Sequence, residues 1–230
     1  MDKRVALITG ASQGLGLALA EELAAAGWTL VVDARRAERL AGAVSDLATR
    51  TTVVAIPGDI ADASHRAQLA AAVTEVGRLD LLVNNASTLG ASPLPALDAI
   101  ELDVFRRVYE VNVVAPLALM QQLLPAISAA HGTIVNVTSD AAVEAYEGWG
   151  GYGSSKAAFE QLSAVLAAEH PEVRVLVVDP GDMRTEMHQD AFPGEDISDR
   201  PTPATVAPGL FALIRSDRAS GRVRVNEAGS

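Results

Sequence analysis

The chain has 230 residues, of which 49% are hydrophobic and 20% charged. Length and composition predict one globular domain over residues 1–230 and argue against disorder. Asp and Glu number 29 against 18 Lys and Arg, for a net charge of −11. Such an acidic chain gives no electrostatic reason to expect nucleic acid or an anionic membrane as partner. Cysteine is absent, which excludes disulfides, thiolate metal sites and cysteine nucleophiles.

No targeting signal or metal-binding spacing is evident. The first apolar segment, Val5 to Ile8, is too short for a secretory core or a membrane span, and the other apolar runs are also below spanning length. We therefore expect a cytoplasmic protein without a metal. Surface or helix-end positions are expected for the four scattered histidines, which are His65, His131, His170 and His188.

Short apolar runs alternate with longer Ala- and Leu-rich amphipathic stretches. Because the apolar runs lack polar alternation, they predict strands buried on both faces of a parallel sheet covered by helices. The alternation along the chain predicts a doubly wound α/β domain of the Rossmann type. Strands are predicted near residues 4–9, 28–33, 52–56, 80–84, 132–138, 173–178 and 222–226. Helices are predicted near residues 14–26, 36–48, 62–77, 98–130, 152–169 and 204–215.

A glycine-rich turn follows the first strand and leads directly into the first helix. Its glycines allow a tight turn and a close backbone approach to a pyrophosphate, which the helix N-terminus would attract. Glycine is common in any strand–helix turn, so this pattern alone decides little. The turn reads Thr9-Gly10-Ala11-Ser12-Gln13-Gly14-Leu15-Gly16.

The tip of the second strand carries both signals of dinucleotide preference. An acidic residue there favours the ribose 2′-hydroxyl of NAD, whereas arginine favours the 2′-phosphate of NADP. Arg35 and Arg36 favour the phosphate, since guanidinium groups bind phosphate at two points. The alternative is that both arginines form a solvated helix start, although positive charge there opposes the helix dipole. Asp33 precedes them by two residues.

The long predicted helix 98–130 contains Pro116, four residues after Asn112. Proline has no N–H, so the carbonyl of Asn112 loses its helical partner and a kink is expected. This feature is either only a bend or a carbonyl that holds a water beside an active site.

A tyrosine and a lysine stand four residues apart at the start of the predicted helix 152–169. Tyr152 and Lys156 would share one helix face, where a cation lowers the pKa of a phenol towards a useful acid–base range. The chain has only two lysines, so this pairing is unlikely by chance. Ser139, at the end of the fifth strand, would place a hydroxyl at the same edge of the sheet. Taken singly, it is better explained as a turn or cap hydroxyl.

Residues 182–203 are rich in Pro, Gly and Asp and predict an irregular segment, either a functional lid or disordered. His188 or Arg184 could meet an acidic group of a substrate; the alternative is a solvated loop. Tyr146 and Trp149 could form an apolar wall of the pocket.

These motifs together resemble the short-chain dehydrogenase/reductase family in its compact single-domain branch, from about Val5 to the C-terminus. The resemblance implies a seven-stranded sheet in the order 3-2-1-4-5-6-7. It implies a homodimer or homotetramer, in which helices 98–130 and 152–169 pair across a two-fold axis. The implied catalytic tetrad is Asn112, Ser139, Tyr152 and Lys156. The implied cofactor-binding residues are Gly10, Ser12, Gln13, Gly14, Leu15, Gly16, Arg35, Arg36, Asp59, Ile60, Asn85, Ala86, Tyr152, Lys156, Pro180, Gly181, Met183 and Thr185.

By this resemblance, Tyr152 exchanges a proton with a substrate oxygen that Ser139 also hydrogen-bonds. Lys156 binds the nicotinamide ribose and lowers the pKa of Tyr152, and Asn112 anchors a relay water. Asp59 contacts the adenine. The implied activity is hydride transfer between a nicotinamide cofactor and a small carbonyl or alcohol substrate. NADP(H) is favoured, with NAD(H) as the alternative.

The sequence departs from the family pattern at several positions. Ser87 replaces a usual glycine, where we expect tolerance near the adenosine side of the cofactor. Gln13 stands where NADP-preferring members often carry a basic residue. Asp33 lies one residue before the usual NAD-selecting acid, so it is expected to point away from the ribose. The C-terminal Arg224-Val225-Asn226-Glu227 lacks the usual Asp-Gly-Gly ending, which puts C-terminal subunit contacts in doubt.

Two other functions remain open. One is a dinucleotide-binding sensor or scaffold without turnover, against which the complete tetrad argues. The other is epimerisation or dehydration with a retained nucleotide, against which the short length argues.

Overall fold

Seven parallel strands form one sheet in the order β3-β2-β1-β4-β5-β6-β7, as predicted, in a computed structural model that describes residues 3–225. Asn226 and Glu227, part of the C-terminal departure, lie outside the described residues. The strands are β1 (Val5–Ile8), β2 (Thr29–Ala34), β3 (Val53–Pro57), β4 (Leu81–Asn84), β5 (Thr133–Val137), β6 (Arg174–Asp179) and β7 (Gly221–Arg224).

Helices connect and cover the strands close to the predicted positions. The α-helices are α1 (Gly14–Ala25), α2 (Ala37–Leu47), α3 (Ala63–Val76), α4 (Leu102–Tyr109), α5 (Ala115–Ala129), α6 (Gly150–Glu169), α7 (Glu186–Ala191) and α8 (Pro203–Arg215). A 3₁₀ turn over Asp140–Ala142 lies between β5 and α6.

The apolar runs fold as parallel strands because both faces of the sheet are covered. In β1, Ala6 and Ile8 belong to a core that includes residues of α1 and α8. Leu7 belongs to the opposite core, with residues of α3 and α5. All four β1 residues are buried, which explains why the run shows no polar alternation. The carboxyl ends of the strands are thereby held at one edge of a rigid sheet.

The predicted helix 98–130 is shorter and interrupted. It begins at Leu102 and contains a π-helical turn, Glu110–Val114, between α4 and α5. The N–H of Ala115 bonds the carbonyl of Glu110, five residues back. Pro116 has no N–H to donate to the carbonyl of Asn112. The helix widens into a π-turn just before Pro116, where the regular hydrogen-bond pattern is already broken. The expected irregularity at Asn112 is therefore present.

The helical stretch Leu102–Ala129 also bears on membrane association. Its 28 residues have a window of mean hydropathy 1.4, so by length and composition it could cross a membrane, contrary to the expectation that no run was long enough. Half of that window is buried inside the fold, and α5 packs on α3 and β4. This is the pattern of a core helix, in which apolar residues cover a sheet.

The segment 182–203 is less irregular than predicted. It contains α7, whose first turn is capped by Thr185 accepting a hydrogen bond from the N–H of His188. Gln189 then bonds the carbonyls of Phe192 and Glu195 and closes the following turn. We call residues 182–203 the lid.

Candidate active site

A cleft of about 460 Å³ opens at the carboxyl edge of the sheet. It gathers residues from the glycine-rich turn, the ends of β2, β4, β5 and β6, the start of α6 and the lid. The sequence-predicted site residues all line it, except Gly16 and Asn112. The position agrees with the general rule that ligands of doubly wound sheets bind beyond the carboxyl ends of the strands.

Glycines shape the turn between β1 and α1. Gly10 and Gly14 have positive φ angles of 71° and 59°, which side-chain-bearing residues rarely adopt. A Cβ on Gly16 would lie 2.5 Å from the carbonyl oxygen of Gly10. The absence of a side chain at Gly16 therefore lets the start of α1 pack closely against the turn. Gly16 faces the turn and not the cleft, so it does not line the cleft.

Hydrogen bonds from β4 fix this turn in place. Asn85 donates its side-chain amide to the carbonyls of Thr9 (2.9 Å) and Gly10 (3.2 Å). The hydroxyl of Thr9 accepts the backbone N–H groups of Asn85 and Ala86, both at 3.0 Å. Asn85 thus has a structural task, whatever it contributes to a ligand.

Asp33 anchors the turn from β2. One carboxylate oxygen accepts the N–H of Gly10 at 2.8 Å, and the other lies 2.9 Å from Nε2 of His65. Both side chains are buried. Asp33 is therefore occupied on both oxygens. His65 lies in the first turn of α3, one of the two kinds of position expected for it, but it is buried beside the Asp33 carboxylate and not at the surface.

Gly58 makes room for this buried pair. A Cβ at that position would lie 2.2 Å from Nδ1 of His65. Nδ1 itself is buried without a hydrogen-bond partner among the described residues, so the imidazole is held through Nε2 alone.

The base of the cleft beyond β3 carries a charged pair. The Asp59 carboxylate accepts a hydrogen bond from the N–H of Ala61 at 3.0 Å. It also forms a hydrogen-bonded ion pair with Arg107 of α4. Partial burial would raise the pKa of this carboxyl, but these two contacts outweigh it and lower the pKa. Asp59 is therefore held as an acceptor beside Ile60 in the cleft.

Tyr152 and Lys156 lie side by side on α6, as the four-residue spacing predicts. Both are buried, with Nζ of Lys156 5.5 Å from the centre of the Tyr152 ring. Nζ donates to the carbonyl of Val137 at 2.8 Å. Burial lowers the pKa of Lys156 to about 8.

The expected lowering of the Tyr152 pKa is wrong for this arrangement. Burial raises the pKa of the phenol above its ordinary value, and the carboxylates of Asp140 and Asp179 act in the same direction. A hydrogen bond with Ser87 opposes them. Lys156 faces the ring and the Val137 carbonyl, so desolvation dominates. The phenol is therefore held in its protonated form.

Ser139 is a cap hydroxyl that also lines the cleft. Its hydroxyl accepts the N–H of Ala141 at 3.2 Å and so caps the 3₁₀ turn. It also lies 2.9 Å from a carboxylate oxygen of Asp140 and lines the cleft with Tyr152. The cap fixes the hydroxyl at the end of β5.

The side chain of Asn112 is fully committed inside the fold. Its amide donates to the carbonyl of Thr88 and the hydroxyl of Ser155, both at 3.0 Å. Its oxygen accepts the N–H of Thr88 at 2.9 Å and the hydroxyl of Ser87 at 3.1 Å. Any role towards a ligand must therefore use its backbone carbonyl.

Ser87 lies at the Tyr152 end of the cleft. Its hydroxyl contacts both Asn112 and the phenol of Tyr152. The expectation that this position faces the adenosine side is therefore wrong, since the chain after β4 turns towards α6.

The lid and α6 form an aromatic wall. The ring of Trp149 lies 5.6 Å from Tyr152 and 5.9 Å from Phe192, centre to centre. His188 lies 4.9 Å from Phe192 and its Nδ1 is 3.8 Å from Asp182. Trp149 lines the cleft as expected.

Tyr146 packs edge-on against Trp149, with 6.4 Å between ring centres, hydrogen-bonds Asp140 at 3.1 Å and is 47% exposed. It is not among the described residues that line the cleft.

The chemistry of the cleft suits a phosphorylated dinucleotide. The N-terminus of α1 has no side-chain cap and no acidic residue in its first turn, so its N–H groups can receive a pyrophosphate. Arg35 and Arg36 stand at one end and the Tyr152–Lys156 pair at the other. Thr185 approaches the turn from the lid, 3.8 Å from where a Cβ of Gly14 would stand.

A family model described as short chain dehydrogenase matches residues 4–196. The chain belongs to the short-chain dehydrogenase family. The resemblance deduced from its motifs is thus confirmed.

Individual relatives support the same family. Rat (Rattus norvegicus) sepiapterin reductase is 37% identical over 199 residues, 80% of this chain and 76% of the relative. A Pseudomonas aeruginosa reductase, named rhamnolipids biosynthesis 3-oxoacyl-[acyl-carrier-protein] reductase, is 35% identical over 193 residues, 80% and 74% of the two chains. A short chain dehydrogenase from Shigella flexneri, solved in complex with NADP, superposes with a TM-score of 0.88 at 31% identity and covers 97% of each chain.

Three features of this short-chain dehydrogenase site were not predicted from the sequence motifs. Asp179 is buried at the end of β6 and lines the cleft, where it pairs with Arg222 (3.2 Å) and Arg224 (3.0 Å) of β7. The alternation of these two arginines along a strand was an available signal. The Asp33–His65 pair and the contacts of Glu186 join distant segments, and no local pattern indicates them.

Proposed function

We propose that this short-chain dehydrogenase is an NAD(P)(H)-dependent oxidoreductase acting on a carbonyl/alcohol pair, with NADP(H) favoured and Tyr152 as the general acid/base. The observation that carries the proposal is the burial of Tyr152 and Lys156 side by side, across the cleft from a glycine-rich turn suited to pyrophosphate.

The cofactor would lie along the carboxyl edge of the sheet. The turn between β1 and α1 would hold its pyrophosphate, Asp59 its adenine, and Arg35 with Arg36 a 2′-phosphate. Lys156 would hold the nicotinamide ribose, and Thr185 with the Pro180–Gly181 turn would face the nicotinamide. When bound, the nicotinamide supplies or accepts the hydride.

The residues of the chain would handle the proton. Because burial keeps Tyr152 protonated, the phenol can donate to the oxygen of a carbonyl substrate as negative charge develops there. Ser139 would donate a second hydrogen bond to that oxygen. The ammonium of Lys156 would stabilise the phenolate that Tyr152 leaves behind. The Asn112 carbonyl would hold a water that returns the proton from solvent.

The cleft favours a small substrate with an apolar part. Trp149, backed by Phe192, supplies an apolar wall beside Tyr152. His188 and Arg184 also line the cleft and could meet an acidic group. We further propose a cytoplasmic homodimer or homotetramer. Exposed Val114 and Val165, on the π-turn between α4 and α5 and on α6, support pairing through those helices.

The test is NADPH oxidation with a panel of ketones, aldehydes and quinones, using Tyr152→Phe as the matched inactive variant. We expect turnover of part of the panel by the native chain and none by the variant. NADPH binding without oxidation across the panel would instead support the sensor or scaffold.

A further inference from the structure

An acidic residue of the lid reaches basic residues of α2. Glu186 opens α7, and its carboxylate lies 2.9 Å from Nη1 of Arg39 and 3.8 Å from Nη1 of Arg36. The contact joins segments 147 residues apart in the chain. The lid is therefore tied to the start of α2, at the end of the cleft assigned to the 2′-phosphate.

The two arginines stand differently towards the cleft. Arg36 lines it together with Glu186 and Gln13, whereas Arg39 is not among the described lining residues. The hydrogen bond from Arg39 has the largest effect on the pKa of the Glu186 carboxyl. Together with a hydrogen bond from Gln13 and the charges of Arg39 and Arg36, it outweighs burial and lowers that pKa. The Glu186 carboxylate is therefore negatively charged and competes for Arg36 with any anion that binds there.

The contact between Glu186 and Arg36 can open at little cost. The side chain of Glu186 is 53% exposed and that of Arg36 is 66% exposed, so water screens the pair. A phosphate dianion offers Arg36 more charge and more acceptor oxygens than a carboxylate does. The arrangement is weak enough for a ligand to displace.

We infer that Glu186 tunes cofactor selectivity by competing with a 2′-phosphate for Arg36, while Arg39 holds the carboxylate back. The inference rests on the proposed function, because it requires the 2′-phosphate to bind beside Arg36. A dinucleotide with a 2′-hydroxyl leaves the Glu186–Arg36 contact in place. One with a 2′-phosphate displaces it and alters the tie between lid and α2.

The test measures binding without turnover. Adenosine 2′,5′-bisphosphate and 5′-AMP are titrated calorimetrically into the whole protein, since they share the adenosine and differ in the 2′-phosphate. Glu186→Gln should tighten the bisphosphate by about three- to tenfold and leave 5′-AMP unchanged, because a competing charge is removed. Glu195→Gln is the matched control, an identical change elsewhere in the lid, and should alter neither.

A second variant distinguishes competition between Glu186 and the phosphate for Arg36 from the simple loss of a charge near the phosphate. Arg39→Gln should weaken the bisphosphate, because the released carboxylate turns to Arg36. If Arg39 acts through Glu186, that weakening disappears in the Glu186→Gln background. A weakening of equal size in both backgrounds would mean that Arg39 contacts the phosphate itself, and would overturn the inference.

Two further outcomes separate this inference from the proposed function. Equal selectivity in Glu186→Gln and Glu195→Gln, with the native protein binding the bisphosphate more tightly than 5′-AMP, would overturn the inference alone. A native protein that binds neither nucleotide would overturn the proposed function with it.

Discussion

The turn after β1 and the lid after β6 face each other across one cleft but are held in different ways. Partly buried hydrogen bonds that involve Asp33, Asn85 and Thr9 fix the turn. The lid is held by exposed ion pairs and by aromatic contacts such as that of Phe192 with Trp149. Buried hydrogen bonds resist opening, whereas exposed ion pairs exchange readily with water. The comparison indicates that the turn is the preformed side of the cleft and the lid its adjustable side.

The largest effect should come from Tyr152, where both sides meet. Tyr152→Phe removes the proton donor and keeps the apolar ring, so kcat should fall by about 10²–10⁴-fold. Binding of NADPH, followed by its fluorescence, should change little because the turn is untouched. Substantial residual turnover would show that another group supplies the proton.

Lys156→Arg should be nearly as damaging, although it keeps the positive charge. A planar guanidinium cannot replace the compact ammonium beside a buried phenol, so we expect kcat/KM to fall by at least about a hundredfold. Near-normal activity would contradict the role given to Lys156. Lys3→Arg, at the exposed start of the described chain, is the control.

Carbonyl reduction should also depend on pH through Lys156. Burial lowers the pKa of this ammonium to about 8, so its charge is present below that pH and is lost as pH rises through it. The kcat/KM for reduction should therefore decline above about pH 8, towards about tenfold per unit. A profile that stays flat up to pH 10 would show that the ammonium does not limit the reaction.

A smaller effect is expected from the buried support of the turn. Gly58→Ala should destabilise the protein by about 1–3 kcal/mol, because the new methyl meets the ring of His65. Gly42→Ala, on α2 with nothing within 4 Å, should stabilise it by about 0.5–1 kcal/mol. Denaturant unfolding compares the two variants. Equal stabilities would show that the imidazole moves aside freely.

The smallest effects belong to the lid. Arg184→Ala and His188→Ala should each raise the KM of an acidic substrate several-fold, with kcat nearly constant. Changes in the lid should then affect substrate binding and leave the chemical step unchanged. An unchanged KM in both variants would remove these residues from substrate recognition.

Local patterns predicted most of the elements, although not α7, and the family resemblance implied most of the residues that line the cleft. Unbroken apolar runs indicated buried parallel strands, and the glycines of the turn indicated a backbone that only glycine adopts at positive φ. The spacing of Tyr152 and Lys156 placed them on one helix face. Such features depend on neighbours in the chain, so the sequence alone determined them.

Only the tertiary structure decided the pairings between distant segments. His65 of α3 is buried against Asp33 of β2, and Ser87 turns towards Tyr152 rather than the adenosine side. Glu186 of the lid meets Arg39 of α2, which is 147 residues away along the chain. The pKa of Tyr152 is raised because desolvation outweighs a hydrogen bond with Ser87, and the carboxylates of Asp140 and Asp179 add to it. These outcomes depend on burial and on three-dimensional proximity, which the order of residues along one chain does not display.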